Sequence, residues 1–203
     1  MIILLINFSV AFFFSFIGTI PPGTLNINIL QLGLERKISL AWRFAIAASI
    51  VEYPYAWIAI KFEGLITSTP LILENIQLIT AVVMIILGVL TLISARKPSK
   101  LSEKFNNSGF RRGLILSIIN PLALPFWIGT TAYVEGQQWI NLDNPWRLHS
   151  YLLGVSLGAL TLFMILAYLA QYVVKFINET IIKVVPGVIL LVLGLYAFIR
   201  YLS

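Results

Sequence analysis

One acidic side chain lies deep inside an apolar stretch of this sequence. Glu52 follows Leu40, where that stretch begins, by 12 residues, and is the only acidic residue so far from the ends of an apolar run. A carboxylate in an apolar medium is costly, so this group should face other helices and be protonated or paired. The functional interpretation is that Glu52 carries a coupling proton or is the counter-ion of a substrate ammonium group. A structural alternative is a neutral acid hydrogen-bonded to a backbone carbonyl.

Two segments, Pro21-Pro22-Gly23 and Asn120-Pro121, should break helices within apolar runs. A proline inside a helix removes a hydrogen bond and clashes with the preceding turn. In hydrocarbon, the freed carbonyls need partners in protein or water. Each break lies 11 residues from the same side of the apolar region, Pro22 before Gly33 and Pro121 after Phe110. At ~1.5 Å per residue, both are about 16 Å deep and can line one cavity. Two structural kinks without a ligand are the alternative.

Polar residues follow the first break. Thr24, Asn28 and Gln31 share a helical face, and Asn26 lies off it. They are either substrate contacts or polar groups that hold helices together. The predicted substrate-binding set comprises the two breaks, the polar residues after the first, and the acid, with Glu52 as the proton-coupling candidate: Pro21, Pro22, Gly23, Thr24, Asn26, Asn28, Glu52, Asn120 and Pro121.

The elements that position these residues follow from composition. Of the 203 residues, 59% are hydrophobic and 11% are charged, whereas a soluble domain has about 25% charged residues. Apolar runs long enough to span a bilayer predict an all-α integral membrane protein, a single domain over 1–203. Six spans are expected, at Met1 to Leu34 (broken), Leu40 to Ile60, Ile76 to Ser94, Gly113 to Val134, Ser150 to Val173, and Lys183 to Arg200. The structure of Phe62 to Glu74 is left open.

Lysine and arginine predict the orientation. The first, third and fifth loops with their edges hold 11 of these residues, and the opposite side holds 3. Positive loops are cytoplasmic, so six spans put both termini outside a bacterial inner membrane. This accounts for the net charge of +6 without nucleic acid. The chain has no cysteine, which excludes disulfides and thiolate metal sites.

The sequence also repeats itself. The window from Ala81 to Gly88 matches Gly187 to Gly194 in residue type, and Ile20-Pro21-Pro22 resembles Ile119-Asn120-Pro121, at offsets of 106 and 99 residues. We predict repeat 1 over about 1–95, a cytoplasmic loop over about 96–109, and repeat 2 over about 110–203. Three spans per repeat would make the second copy inverted, with broken first and fourth helices, as in many transporters. Chance likeness of apolar windows is the alternative.

These motifs resemble the lysine exporter and threonine/homoserine exporter family of bacterial amino-acid efflux proteins. The family's Pro-Gly-Pro motif corresponds to Pro22-Gly23-Thr24, and the Gly-Arg-type start of its first cytoplasmic loop corresponds to Gly33 through Lys37. Glu52 corresponds to an acid that the family often has in its second span. The start of its fourth span corresponds to Phe110 through Gly113, followed by Asn120-Pro121. Thr24 and Leu122 replace a proline and a lysine of the family pattern, so the chain is similar to a divergent member.

The resemblance implies export of amino acids or related small polar solutes by alternating access, driven by the proton gradient. The partners would be the solute, protons and the lipid bilayer, with no cofactor, no metal and no nucleic acid. One alternative is an exporter of another solute such as a metal ion, although such ions prefer clustered carboxylate, His or Cys ligands. Another is a non-transporting scaffold subunit. An enzyme is not predicted, since there is no nucleophile-and-base pair and no His-Glu-x-x-His motif. Substrate identity, coupling ion and a homo-oligomeric state stay open.

Overall fold

The computed structural model describes residues 2–20, 23–68, 75–95, 108–120, 122–173 and 179–202. Within these ranges every regular element is a helix. They are α1 (Ile2–Thr19), α2 (Thr24–Leu34), α3 (Ile38–Ser68), α4 (Ile76–Ala95), α5 (Gly109–Ile118), α6 (Ala123–Gly136), α7 (Pro145–Tyr168), α8 (Ala170–Val173) and α9 (Glu179–Leu202).

Several of these helices have the length and composition to cross a membrane. Helices α1 and α7 each satisfy both requirements alone, and α5 with α6 forms a third candidate span that bends by 66°. Shorter apolar stretches, Ala81–Ile93 and Gly187–Leu202, lie in α4 and α9. Helices suit a bilayer because they satisfy their backbone hydrogen bonds internally. The chain is therefore an all-helical protein with membrane-spanning character.

Helical structure stops at two places where the sequence predicts breaks. Helix α1 ends at Thr19 and α2 begins at Thr24, and we call this interval the first break. Helix α5 ends at Ile118 and α6 begins at Ala123, and we call this interval the second break. Pro21, Pro22 and Pro121 themselves lie outside the described residues.

Some helix bounds differ from the predicted spans. Helix α3 continues to Ser68, so the segment left open after Ile60 begins as helix. The fifth span starts earlier, at Pro145, because Asn144 caps its first turn by accepting a hydrogen bond from the Trp146 amide at 2.9 Å. That span also divides at Leu169 into α7 and the short α8.

Helices α3 and α7 form the centre of the bundle, and two apolar clusters lie along them. One cluster joins α2, α3 and α7 and includes Ile29, Phe44 and Phe163. The other joins α1, α3, α6 and α7 and includes Trp127 and Tyr151. The stretch of α3 between the two clusters is where Glu52 lies.

Glycines allow the closest helix approaches. A Cβ atom on Gly154 or Gly158 of α7 would lie 2.3 or 2.4 Å from a carbonyl oxygen of α1. On the other side of the bundle, a Cβ atom on Gly109 or Gly113 of α5 would lie 2.2 or 2.4 Å from a carbonyl oxygen of α3. Small residues of this kind let helix backbones meet in membranes.

Helices α4 and α9 pack on each other through small residues. A Cβ atom on Gly88 would lie 2.7 Å from Leu191 Cγ, and one on Gly194 would lie 2.8 Å from Ile85 Cγ1. Ala81, at the same interface, is fully buried. Most of the large apolar side chains described on these helices are exposed, as expected for surfaces that face lipid.

Candidate functional site

The predicted acid makes a specific contact across the bundle. Glu52 is partly buried in α3, and its Oε2 atom accepts a hydrogen bond from Nε1 of Trp127 at 2.6 Å. Trp127 lies in α6, in the second turn after the second break, and is 1% exposed. The acid therefore contacts the helix that leaves the second break.

The same turn of α3 contacts the helix that enters the second break. The hydroxyl of Tyr55 donates to the carbonyl oxygen of Ile118, the last residue of α5, at 2.6 Å. That carbonyl has lost its helical partner because the helix stops there, and such a group needs another donor within a bilayer. Helix α3 thus contacts the helices on both sides of the second break, α6 through Glu52 and α5 through Tyr55.

At the first break, two buried amides donate to backbone carbonyls. Asn26 Nδ2 donates to the carbonyl oxygen of Thr19, the last residue of α1, at 2.6 Å, and Asn28 Nδ2 donates to that of Thr24 at 2.7 Å. Thr24 is exposed, and Gly23 is half-buried. Asn26 therefore donates to the carbonyl that ends α1, just as Tyr55 donates to the carbonyl that ends α5.

The two breaks lie beside each other. A Cβ atom on Gly18, in the last turn of α1, would lie 2.1 Å from Cζ of Phe126 in the first turn of α6. The Phe126 ring meets the Trp127 ring edge-on, with centroids 5.0 Å apart. Asn120, within the second break, is half-buried, and its side-chain oxygen accepts from the Leu122 amide at 3.2 Å. The structure thus brings Glu52, the residues flanking both breaks and Asn120 into one region.

A second polar group joins α2 to α5. Arg112, which is 5% exposed, donates from Nη2 to Oε1 of Gln31 at 3.4 Å. Gln31 Nε2 donates to Glu35 Oε1 at 2.9 Å, and Glu35 Oε2 pairs with Lys37 Nζ at 2.8 Å. The contacts with Lys37 and then Gln31 hold the pKa of Glu35 below its ordinary value. Glu35 is therefore ionised at neutral pH.

Sequence reasoning missed Trp127 and Tyr55. Tyr55 lies one turn after Glu52, and its position on the same helix was the available signal. Trp127 lies six residues after Pro121, and nothing in the sequence pairs it with the acid. Arg112, one of the basic residues counted for the orientation, also contacts Gln31 in the structure.

The arrangement suits recognition of a small polar solute by hydrogen bonds and one carboxyl group. Within the described ranges, no three His, Cys, Asp or Glu side chains gather as a metal ion would need. Interrupted helices that flank an acidic group at membrane depth are the arrangement of secondary transporters.

Comparison with protein families agrees with this class. The model of the LysE-type translocators matches residues 16–200, and the chain belongs to that family. It is therefore a membrane transporter rather than a member of an enzyme family.

One curated protein of Bacillus subtilis (strain 168) is similar over most of its length. It carries the name "Putative amino acid efflux protein YcgF" and is 23% identical over 183 residues, which cover 87% of each chain. Comparison with solved structures gives no match.

Proposed function

We propose that this protein exports amino acids or related small polar solutes by alternating access, driven by the proton gradient. The observation that carries the proposal is the hydrogen bond from Trp127, in the helix that follows the second break, to the Glu52 carboxyl group. Membership of the LysE-type translocators supports transport, and the name of the Bacillus relative supports amino acids as the solute class.

The proposed architecture is six spans in two inverted repeats. Contacts between α4 and α9 support it. With the sequence offset of 106, Ile85 and Gly88 in the first repeat are equivalent to Leu191 and Gly194 in the second. When the two repeats are exchanged, the contact of Gly88 with Leu191 is equivalent to the contact of Gly194 with Ile85, and the structure contains both contacts. The broken spans add a second pairing, since α1 packs on α7 and α5 packs on α3. Both relations are those expected of a pseudo-two-fold axis, which we propose lies in the membrane plane.

In this mechanism the helices before and after each break move relative to each other. Each broken span consists of two helices that can tilt separately. Asn26 donates to the carbonyl oxygen of the last residue of α1, and Tyr55 donates to that of the last residue of α5. The solute binds between the breaks near Gly23, Asn28 and Asn120. Glu52 takes up a proton when the site opens to the outside and releases it to the cytoplasm, and solute leaves in exchange.

Transport by the purified protein tests this proposal. In inverted vesicles, or in liposomes holding the reconstituted protein, a pH gradient should drive the flux of at least one member of a panel of labelled amino acids. Protein-free vesicles are the control. Folded protein that moves no member of the panel in response to the gradient would contradict the proposed function.

The proposed location is a bacterial inner membrane with both termini outside. The basic segment from Arg96 to Lys104 should then be cytoplasmic. Because the chain has no cysteine, Ser99→Cys and Ser203→Cys each introduce a unique thiol. In intact cells an impermeant thiol reagent should label Ser203→Cys and spare Ser99→Cys. Permeabilised cells, in which both thiols react, are the control, and labelling of Ser99→Cys in intact cells would reverse the orientation.

A further inference from the structure

We propose that Trp127 is a positioning residue that transmits the protonation state of Glu52 to α6, the helix beyond the second break. The inference rests on the proposed function, because it concerns how a proton on Glu52 becomes a helix movement. In this proposal Trp127 does not contact the solute.

The Trp127 ring is enclosed by other side chains of the protein. The side chain is 1% exposed. Phe126 and Tyr151 meet its ring edge-on, with centroids 5.0 and 6.5 Å away. The indole N–H, its only hydrogen-bonding group, is directed to Glu52 Oε2. Every part of the side chain is thus engaged within the protein, and its N–H connects α6 to α3.

The contact with Glu52 differs in kind from two other contacts of α6. Thr131 and Tyr151 join α6 to α7 through their hydroxyl oxygens at 3.2 Å, and both hydroxyls are neutral near pH 7. Phe126 joins α6 to α1 at Gly18 through van der Waals contact. Among these three contacts, only the one to Glu52 involves a group that gains and loses a proton in the proposed transport cycle.

Protonation weakens that contact. An N–H donor binds an ionised carboxylate about twice as strongly as it binds a neutral acceptor. A proton on Glu52 therefore loosens α6 from α3, while the Tyr55 hydroxyl still holds the end of α5. The movement that follows is one of α6 relative to α3 and α5.

The first arm of the experiment is Trp127→Phe, which keeps an aromatic ring and removes the N–H. Flux driven by a pH gradient should fall roughly tenfold, the loss expected for a hydrogen bond to a charged group. Exchange of labelled for unlabelled solute without a gradient should stay near the wild-type rate, because the solute site is intact. The matched control is Trp42→Phe, which removes the indole donor to the Tyr168 hydroxyl at 3.2 Å and should leave driven flux near the wild-type rate.

The second arm is spectroscopic and does not depend on whether a Trp127 variant folds. The indole N–H resonances of the five tryptophans are followed by NMR in protein labelled with nitrogen-15. The Trp127 resonance should move with pH in the wild-type protein and stay fixed in Glu52→Gln, whereas that of Trp42 should stay fixed in both. A Trp127 resonance that ignores pH in the wild-type protein, or follows pH in Glu52→Gln, would overturn the inference.

Wild-type driven flux in a folded Trp127→Phe protein would also overturn it, as would an equal loss in Trp42→Phe. Failure of the proposed function would show itself separately, as the absence of gradient-driven flux in the wild-type protein.

Discussion

Glutamine in place of Glu52 should reduce pH-gradient-driven transport to the level of protein-free vesicles. The amide keeps the volume of the acid and an oxygen that can accept from Trp127 Nε1, but it cannot release a proton. The folded variant should therefore still bind solute and exchange it across the membrane, yet fail to move it against a gradient. Binding and driven flux are measured on the same purified protein.

The same two measurements separate the other roles of this acid. A counter-ion of the solute's ammonium group would be lost in Glu52→Gln, so binding would fall together with flux. A structural acid would be replaced without effect, and wild-type flux would end the functional assignment of Glu52. Glu35→Gln is the matched control, because it makes the same change at an exposed carboxylate beside Lys37. Its driven flux should be close to that of the wild-type protein.

Alanine at Gly158 should destabilise the helix bundle by about 2 kcal/mol. Its Cβ atom would lie 2.4 Å from the carbonyl oxygen of Phe12, and backbone cannot move aside as a flexible side chain can. Overpacking of this kind costs about 3 kcal/mol at the upper end of its usual range, while alanine recovers about 1 kcal/mol of helix propensity relative to glycine. The thermal midpoint of the protein in detergent should fall clearly below that of the wild type.

Gly129→Ala is the control for the packing argument. Gly129 is exposed on α6 and has no atom within 4 Å of the position that a Cβ would take. Its midpoint should equal or exceed that of the wild type, since only the propensity term remains. An unchanged midpoint in Gly158→Ala would mean that α1 and α7 are not packed as closely as described.

The helical class and the places of the breaks were predictable from sequence because each depends on local chemistry. Long apolar runs with few charges need internal backbone hydrogen bonds in a bilayer, so helices were expected. Helices end at Thr19 and Ile118, next to the segments Pro21-Pro22-Gly23 and Asn120-Pro121 that predicted breaks. Such breaks are predictable because the effect of a proline is confined to its own turn. Glu52 was singled out for the same reason, as one costly charge in an apolar run.

Family membership was also within reach of the sequence. The residues from Pro22 to Asn26, the acid at 52 and the segment from Phe110 to Pro121 resembled amino-acid exporters, and the LysE-type translocator match over residues 16–200 confirms that resemblance. Family motifs are read along the chain, so they require no knowledge of which helices meet.

Partners across the bundle were decided only by the tertiary structure. Trp127 meets Glu52 from 75 residues away in sequence, and Tyr55 meets Ile118 from 63 residues away. Such pairings depend on the rotation of each helix about its axis and on its height in the bundle, and glycines such as Gly113 and Gly158 set these by allowing backbones to meet. In α1 and α7 most residues are apolar enough to face either lipid or protein. Hydrophobic periodicity therefore does not indicate the buried face, and only packing between helices selects it.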